Sequence, residues 1–152
     1  MKHPALGQIT RETKDSDGVA SIPFNDRSIQ IRIIPDEIPY DATVDVAVAI
    51  VKDLQNLDAK AKRVAAAELT GTYNSGWNEY DEAQGDGTFK AVSNPQLTED
   101  EFMRKLTLNA VNVTGNMVDF FYDDENMFWG HSVVVNSMDG IAFTETHAEL
   151  FG

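Results

Sequence analysis

The sequence predicts an α+β fold in which a largely antiparallel sheet, built from N- and C-terminal strands, packs against two main central helices. Three observations predict this class. The first third of the chain alternates apolar and polar residues with the period of two that half-buried strands show. The middle repeats apolar residues at helical spacing, and the last third returns to short apolar runs separated by turn residues.

Strands dominate the N-terminal third. Leu6–Glu12 is a short candidate, and Val19–Phe24 and Ser28–Ile34 form a predicted hairpin around the three-residue connection Asn25-Asp26-Arg27. The second hairpin strand has isoleucine at every second position, which predicts one dry face and one wet face. Pro35 ends this strand because proline cannot donate to the ladder.

Two helices are predicted in the middle of the chain. The first begins at Asp41 or Thr43 and runs to about Asn56, with valine, alanine and leucine on one face. Asp58 is a natural cap for the second, which spans about 59–69. Alanines and a leucine of this helix can face the core while its lysines and arginine stay in water.

A long connection and a short helix follow. Tyr73–Pro95 is rich in glycine and asparagine, which predicts a loop, and a loop of this length is often functional or mobile. Thr98, followed three residues later by Glu101, is a capping box that opens a helix. That helix is expected to bury Phe102 and Leu106.

The C-terminal part reads as a meander of antiparallel strands. Thr107–Val113, Met117–Tyr122 and His131–Val135 are the first three predicted strands. Asn136–Gly140 then turns the chain into Ile141–His147. Together with the N-terminal strands this makes about seven strands, all in a single domain over residues 1–152, a length typical of one domain.

Composition excludes several classes of protein. The chain has no cysteine, which excludes disulfide frameworks, zinc–thiolate sites and thiol nucleophiles. No apolar run is long enough to span a membrane, and the polar start does not resemble a signal peptide, so we expect a cytoplasmic protein. There is no P-loop, dinucleotide fingerprint or nucleophile elbow, and no cofactor is expected.

Negative charge is strong and unevenly distributed. The sequence has 12 Lys and Arg against 25 Asp and Glu, a net charge of −13, which argues against nucleic-acid binding. Leu106–Gly152 holds seven acidic residues and Val64–Phe89 holds five, and neither stretch contains a lysine or arginine. Such clustering is either a solvated acidic surface or a patch that is complementary to a basic protein.

The acidic stretches contain the residues that we expect to bind a partner. Aromatic side chains beside carboxylates are good anchors for a positively charged surface. The predicted partner-binding residues are Trp77, Glu79, Tyr80, Asp81, Glu82, Asp123, Asp124 and Glu125. Phe128 and Trp129 stand directly before a strand, where closing the end of the sheet is the simpler interpretation.

A second candidate site contains two histidines and a glutamate that could act as metal ligands. If the last two predicted strands pair closely around their turn, His131 lies opposite Glu145 or His147 on one face of the sheet. Two imidazoles and a carboxylate could bind a divalent metal or form an acid–base pair. The alternative is that each histidine simply hydrogen-bonds backbone at a strand end, since a register slip of one residue would separate the three.

The order of motifs along the chain resembles one bacterial family. Asn74-Ser75-Gly76-Trp77 after the helices, and Phe128-Trp129-Gly130-His131-Ser132 before an apolar strand, are similar to domain-of-unknown-function family 2262 and its relatives. The resemblance covers nearly the whole chain, closes with Gly152, and carries no catalytic residues. It implies a bacterial, usually intracellular protein, and an immunity role against a toxin for some members. It also implies that Gly130 and His131 serve the fold, through a tight entry and a fixed hydrogen bond.

Together these features favour a non-enzymatic acidic protein that docks a basic protein partner, a toxin being the concrete version. The alternative is a small metal-dependent or acid–base enzyme that uses His131, Glu145 and His147. Neither nucleic acid nor a membrane is an expected partner. The sequence does not distinguish a monomer from a homodimer.

Overall fold

A computed structural model describes residues 1–152 of the chain. It contains a six-stranded sheet, a separate two-stranded hairpin and a small N-terminal strand pair. The strands are β1 (Lys2–His3), β2 (Gly7–Gln8), β3 (Gly18–Phe24), β4 (Arg27–Ile34), β5 (Glu79–Ala83), β6 (Phe89–Ser93), β7 (Thr107–Thr114), β8 (Met117–Asp123), β9 (Ser132–Ser137) and β10 (Thr146–Phe151). The α-helices are α1 (Tyr40–Lys52), α2 (Leu54–Thr72) and α3 (Glu99–Arg104), with a π-helical turn at Tyr73–Trp77 and a 3-10 turn at Gly140–Ala142.

The central sheet has the strand order β10-β9-β8-β7-β4-β3. Neighbouring strands are antiparallel except β4 and β7, which run parallel from Gln30 opposite Ala110 to Ile34 opposite Thr114. A parallel pair needs a long crossover, and here the crossover contains all three α-helices and the hairpin β5–β6. The predicted α+β class with a largely antiparallel sheet is therefore confirmed.

The hydrophobic core lies between one face of this sheet and the helices α1 and α2. Ile29, Ile31 and Ile33 of β4 are each at most 1% exposed, as their alternation predicts. Ala65 and Leu69 of α2 are also buried. Each fully buried isoleucine or leucine contributes about 1.5–3 kcal/mol of transfer free energy, so this layer makes a large favourable contribution to folding.

The second helix begins earlier than predicted. α2 starts at Leu54, and Asp58, predicted as its cap, is a buried residue inside the helix. Its carboxylate accepts a hydrogen bond from Tyr122 Oη (2.7 Å) and lies 3.3 Å from Lys62 Nζ. The Lys62 contact lies within α2, but the Tyr122 contact comes from tertiary packing, which overrides the local capping signal. None of the three α-helices combines the length and the apolar character that crossing a lipid bilayer requires.

The N-terminal strands differ from prediction in two places. The strand expected over Leu6–Glu12 shortens to β2 plus one isolated bridge between Thr10 and Val19. The β3–β4 turn has two residues rather than three, with Asn25 at φ 47° and Asp26 at φ 63°. Asn and Asp tolerate this left-handed conformation, which matches the twist of the flanking strands.

The segment predicted as loop over residues 73–95 is mostly ordered structure, so that prediction is wrong. The π-helical turn continues α2, and β5 and β6 then pair from Glu79 opposite Ser93 to Ala83 opposite Phe89. Gly85 (φ 83°) and Gly87 (φ 88°) make the turn between them. The glycines and asparagines that suggested a loop lie in the turn and at the base of a hairpin.

The short helix α3 matches its prediction. Thr98 Oγ1 accepts a hydrogen bond from the backbone N–H of Glu101 (3.2 Å), and Glu101 Oε1 accepts one from the N–H of Thr98 (3.1 Å). Phe102 and Leu106 are both buried. The capping box is thus confirmed as the start of this helix.

The last strand lies further along the chain than predicted. Residues 140–142 form the 3-10 turn and Phe143 follows in the left-handed region (φ 54°), so β10 begins only at Thr146. Asp139 stabilises this longer connection by accepting hydrogen bonds from Thr144 and from the N–H of Glu145. The expected strand over Ile141–His147 is therefore wrong, and the pairing of β9 with β10 shifts with it.

Candidate functional site

The largest cleft has a volume of about 1300 Å³ and lies between strand β5, helix α3 and residues 124–131. We call it the acidic cleft, because four carboxylates line it against two basic side chains. We call residues 124–131 the cleft segment. Its lining residues are Tyr73, Trp77, Glu79, Tyr80, Asp81, Asn94, Pro95, Leu97, Glu101, Arg104, Lys105, Glu125, Asn126, Met127 and Trp129. It joins parts of the chain that are distant in sequence.

An aromatic cluster forms the inner wall of the cleft. The ring of Trp77 contacts those of Phe128 (centroids 5.4 Å apart), Trp129 (4.8 Å) and His131 (5.6 Å). Phe128 is fully buried and also packs edge-on against Tyr73. Of the two residues predicted to close the end of the sheet, only Phe128 is buried, and its ring packs against those of Trp77 and Tyr73.

Trp129 does not share the burial of Phe128. Half of its surface (50%) is exposed, and its backbone has φ 53°, the left-handed region that non-glycine residues seldom adopt. Glu125 (φ 53°) and Asn126 (φ 61°) adopt the same region. Such a conformation costs of order 1–3 kcal/mol per residue and persists only where surrounding contacts impose it.

Asp124 stabilises the turn at Glu125 and Asn126 from inside the segment. Its carboxylate accepts hydrogen bonds from the backbone N–H groups of Asn126 (3.0 Å) and Phe128 (3.2 Å), and the residue is only 4% exposed. Burial raises the pKa of Asp124 more than these N–H donors lower it. The hydrogen-bonding capacity of this carboxylate is therefore used within the segment itself.

The structure brings five of the eight predicted partner-binding residues to one place. Trp77, Glu79, Tyr80, Asp81 and Glu125 all line the acidic cleft. The other three are outside its lining: Glu82 is exposed on the hairpin, Asp123 ends β8, and Asp124 is buried.

Sequence reasoning missed four lining residues that carry charge or exposed aromatic surface: Glu101, Arg104, Lys105 and Trp129. For Trp129 a usable signal was present in the sequence, because a glycine follows it and glycine favours sharp turns; in the structure Gly130 adopts φ 90°. The first three lie on or just after α3, whose approach to the cleft depends on long-range packing.

The predicted metal or acid–base site is not formed. β9 and β10 pair with Ser132 opposite Phe151 and Asn136 opposite His147. Asn136, which lies opposite His147, is five positions from His131, and this separation corresponds to about 17 Å along a strand. The cause is the long connection before β10, and no group of three His, Asp or Glu side chains in the structure has metal-binding geometry. The grouping of His131, Glu145 and His147 is wrong.

His131 and His147 instead contact different groups, one nearby in the chain and one distant. His131 Nδ1 lies 2.8 Å from the backbone oxygen of Phe128, and Gly130 before it has a positive φ, as the family resemblance implied. His147 Nδ1 lies 3.1 Å from Glu68 Oε1, which also accepts the N–H of Ala148 (3.2 Å). The first contact orders the cleft segment, and the second covers part of the free edge of β10.

Comparison with known proteins agrees with the resemblance seen in the motifs. A family model described as an uncharacterized protein conserved in bacteria (DUF2262) matches residues 3–146. No curated protein and no solved structure matches the chain. The match covers nearly the whole sheet together with α1, α2, α3 and the acidic cleft. The chain therefore belongs to the bacterial family DUF2262.

Proposed function

We propose that this protein is a non-enzymatic binding protein that docks a basic protein partner in the acidic cleft. The observation that carries the proposal is the convergence of two acidic segments on one cleft with an exposed tryptophan. Asp81 and Glu125 are 44 positions apart in the chain, yet both line the cleft beside Trp129. Charge clustering in the sequence becomes clustering in space.

Electrostatics favours a positively charged partner. The chain carries a net charge of −13, so its field attracts basic proteins over roughly a Debye length, about 8 Å at physiological salt. Glu79, Asp81 and Glu125 then act at short range within the cleft. Complementary charge of this kind accelerates encounter and discriminates against acidic partners.

The aromatic wall supplies the contact surface. Trp129 is half exposed, Tyr80 is 40% exposed, and Trp77 supports Trp129 from below. An exposed tryptophan beside carboxylates suits an arginine or lysine side chain, because the ring face attracts the cation and the carboxylate pairs with it. The left-handed backbone holds this ring outward before any partner arrives.

The concrete version of the proposal is immunity to a basic toxin. A toxin that acts on nucleic acid needs a basic surface to contact phosphates. A protein that covers such a surface with carboxylates and tryptophan blocks access to the substrate without doing any chemistry. This role rests on the cleft and its charge.

The test is charge reversal in the cleft with a matched control. One variant combines Glu79→Lys, Asp81→Lys and Glu125→Lys. The control combines Glu12→Lys, Asp15→Lys and Glu37→Lys, three exposed acids outside the cleft with the same change in net charge. Basic proteins captured from the source bacterium by tagged wild type are purified, and each binary affinity is measured at several salt concentrations.

The cleft variant is expected to weaken the complex about 100-fold and to flatten its salt dependence, because like charges then face each other. The control is expected to change affinity only about threefold, through the long-range field. Equal losses in both variants would show that only net charge matters and would overturn the cleft assignment. Absence of any basic protein among the specific captures would overturn the proposal itself.

A further inference from the structure

The hairpin β5–β6 has two unpaired edges. It forms a two-stranded sheet of its own, and all five residues of β5 are exposed. An isolated two-stranded hairpin is marginally stable in water, and a third strand stabilises it. The hairpin is thus a template to which another strand can add.

The hydrogen-bond pattern shows which backbone groups are free. Asn94 N–H donates to the oxygen of Asn78 and Gln84 N–H donates to the oxygen of Thr88, which places the even-numbered residues of β5 in the bonded pairs. In an antiparallel pair the alternate residues point their N–H and C=O groups away from the partner strand. Glu79, Asp81 and Ala83 therefore direct theirs to the free edge of β5.

This edge borders the acidic cleft. Glu79, Tyr80 and Asp81 of β5 line the cleft, whereas no residue of β6 does. The edge of the main sheet at β10 is treated differently, because Glu68 accepts the N–H of Ala148 there. Proteins commonly protect exposed edges, so an edge left open beside a binding cleft is a candidate docking position.

We propose that an extended basic segment of the partner adds as a third strand to the free edge of β5, with Lys or Arg at alternate positions opposite Glu79 and Asp81. Side chains at positions i and i+2 share a face of a strand, so two such cations meet both carboxylates together. This inference rests on the proposed function and specifies how the basic partner binds.

Charge decides the occupant of the edge. A second copy of this chain that paired through its own β5 would bring acidic strands together, and like charges opposite each other destabilise strand pairing. A basic strand converts each of these contacts into attraction. The carboxylates thus oppose the pairing of two β5 edges and favour a cationic strand at this edge.

The probe for the test is a short peptide in which lysine alternates with valine. Its binding to the ¹⁵N-labelled protein is followed by NMR, together with amide hydrogen exchange. Two further peptides carry N-methyl groups either on every lysine or on every valine, which removes the donors along one peptide edge without changing charge. Two protein variants, Ala83→Pro and Ala91→Pro, remove one outward N–H from the β5 edge and from the β6 edge, respectively.

Strand addition predicts slower exchange of the Glu79, Asp81 and Ala83 amides on peptide binding. It also predicts that only one N-methylated peptide binds more weakly, and that Ala83→Pro weakens binding about three- to tenfold while Ala91→Pro leaves it within about twofold. Peptide affinity that is unchanged by N-methylation and by both prolines, but is lost in the cleft charge-reversal variant, would overturn strand addition. That outcome would leave the proposed function standing. No binding of any peptide, together with a captured partner insensitive to charge reversal, would overturn both.

Discussion

The central sheet and the hairpin beside the acidic cleft differ in how much of their apolar surface is buried. In the sheet, Ile29, Ile31 and Ile33 are almost completely buried against the helices. In the hairpin beside the cleft every residue of β5 is exposed, and Phe89 of β6 is 69% exposed. The first region gains its stability from burial, and the second depends on its attachments to the first.

Those attachments are few and specific. Asn78, itself buried, donates from Nδ2 to the oxygen of Asn94 at the base of the hairpin. Asn74 donates from Nδ2 to the oxygen of Leu97 and accepts the N–H of Leu97 at Oδ1. Phe128 anchors the cleft segment from beneath. The comparison teaches that the residues that stabilise this fold are largely separate from those that lie exposed on the hairpin and around the acidic cleft.

The largest expected effect comes from the residue that joins the two regions. Phe128→Ala is expected to lower the free energy of unfolding by about 3–5 kcal/mol, because the fully buried ring leaves a cavity. Its matched control is Trp129→Ala, next in the chain but half exposed, which is expected to change stability by less than about 1 kcal/mol. Urea denaturation measures both. Similar losses of stability in the two variants would show that buried Phe128 contributes no more to the fold than exposed Trp129 does.

A smaller effect is expected within the sheet–helix layer. Tyr122→Phe removes the hydroxyl that donates to buried Asp58, and is expected to destabilise the protein by about 1–3 kcal/mol. The pKa of Tyr122 is raised well above its usual value, first by burial and then by the Asp58 carboxylate, so the hydroxyl keeps its proton at neutral pH. Thermal and urea unfolding should agree on the loss. An unchanged stability would mean that Lys62 alone satisfies Asp58.

Removing the hairpin is expected to affect stability still less. A variant in which two glycines join Asn78 to Asn94 deletes β5 and β6, and the hydrogen-bonded pair at the base keeps the ends together. The free energy of unfolding is expected to stay within about 1 kcal/mol of wild type, since the deleted strands bury little apolar surface. Binding of the basic partner that we propose is expected to be lost. Unfolding of the remaining chain would show that the hairpin belongs to the core.

The smallest expected effect is a pH dependence confined to the turn before β10. Hydrogen bonds from Thr144, from the backbone N–H of Glu145 and from Ser137 lower the pKa of Asp139 to about 2. A lowered folded-state pKa means that this group stabilises the fold above its unfolded value near 3.8 and loses that contribution as the pH falls toward 2. NMR titration of the Thr144 amide follows the transition. A midpoint near 3.8 would show that the hydrogen bonds of this turn do not lower the pKa of Asp139.

Much of the fold was predictable because its signals are local. Isoleucine at alternate positions identified β4, and Thr98 with Glu101 identified the start of α3, since period and cap chemistry act over a few residues. Asp58 looked like a cap by the same logic and proved to be buried, because its partner Tyr122 is 64 positions away. A local rule fails where a distant side chain offers a better partner.

Some features of the candidate site could also be predicted from the sequence, and others could not. Charge segregation, the tryptophans and the family membership were all readable from the sequence. Of the acidic residues predicted to bind a partner, Glu79, Asp81 and Glu125 line one cleft. The joining of these segments into one cleft, the exposure of Trp129, and the separation of His131 from His147 were decided by the tertiary structure. The physical reason is that composition and periodicity act along the chain, whereas a cleft and a strand register depend on how distant segments close upon one another.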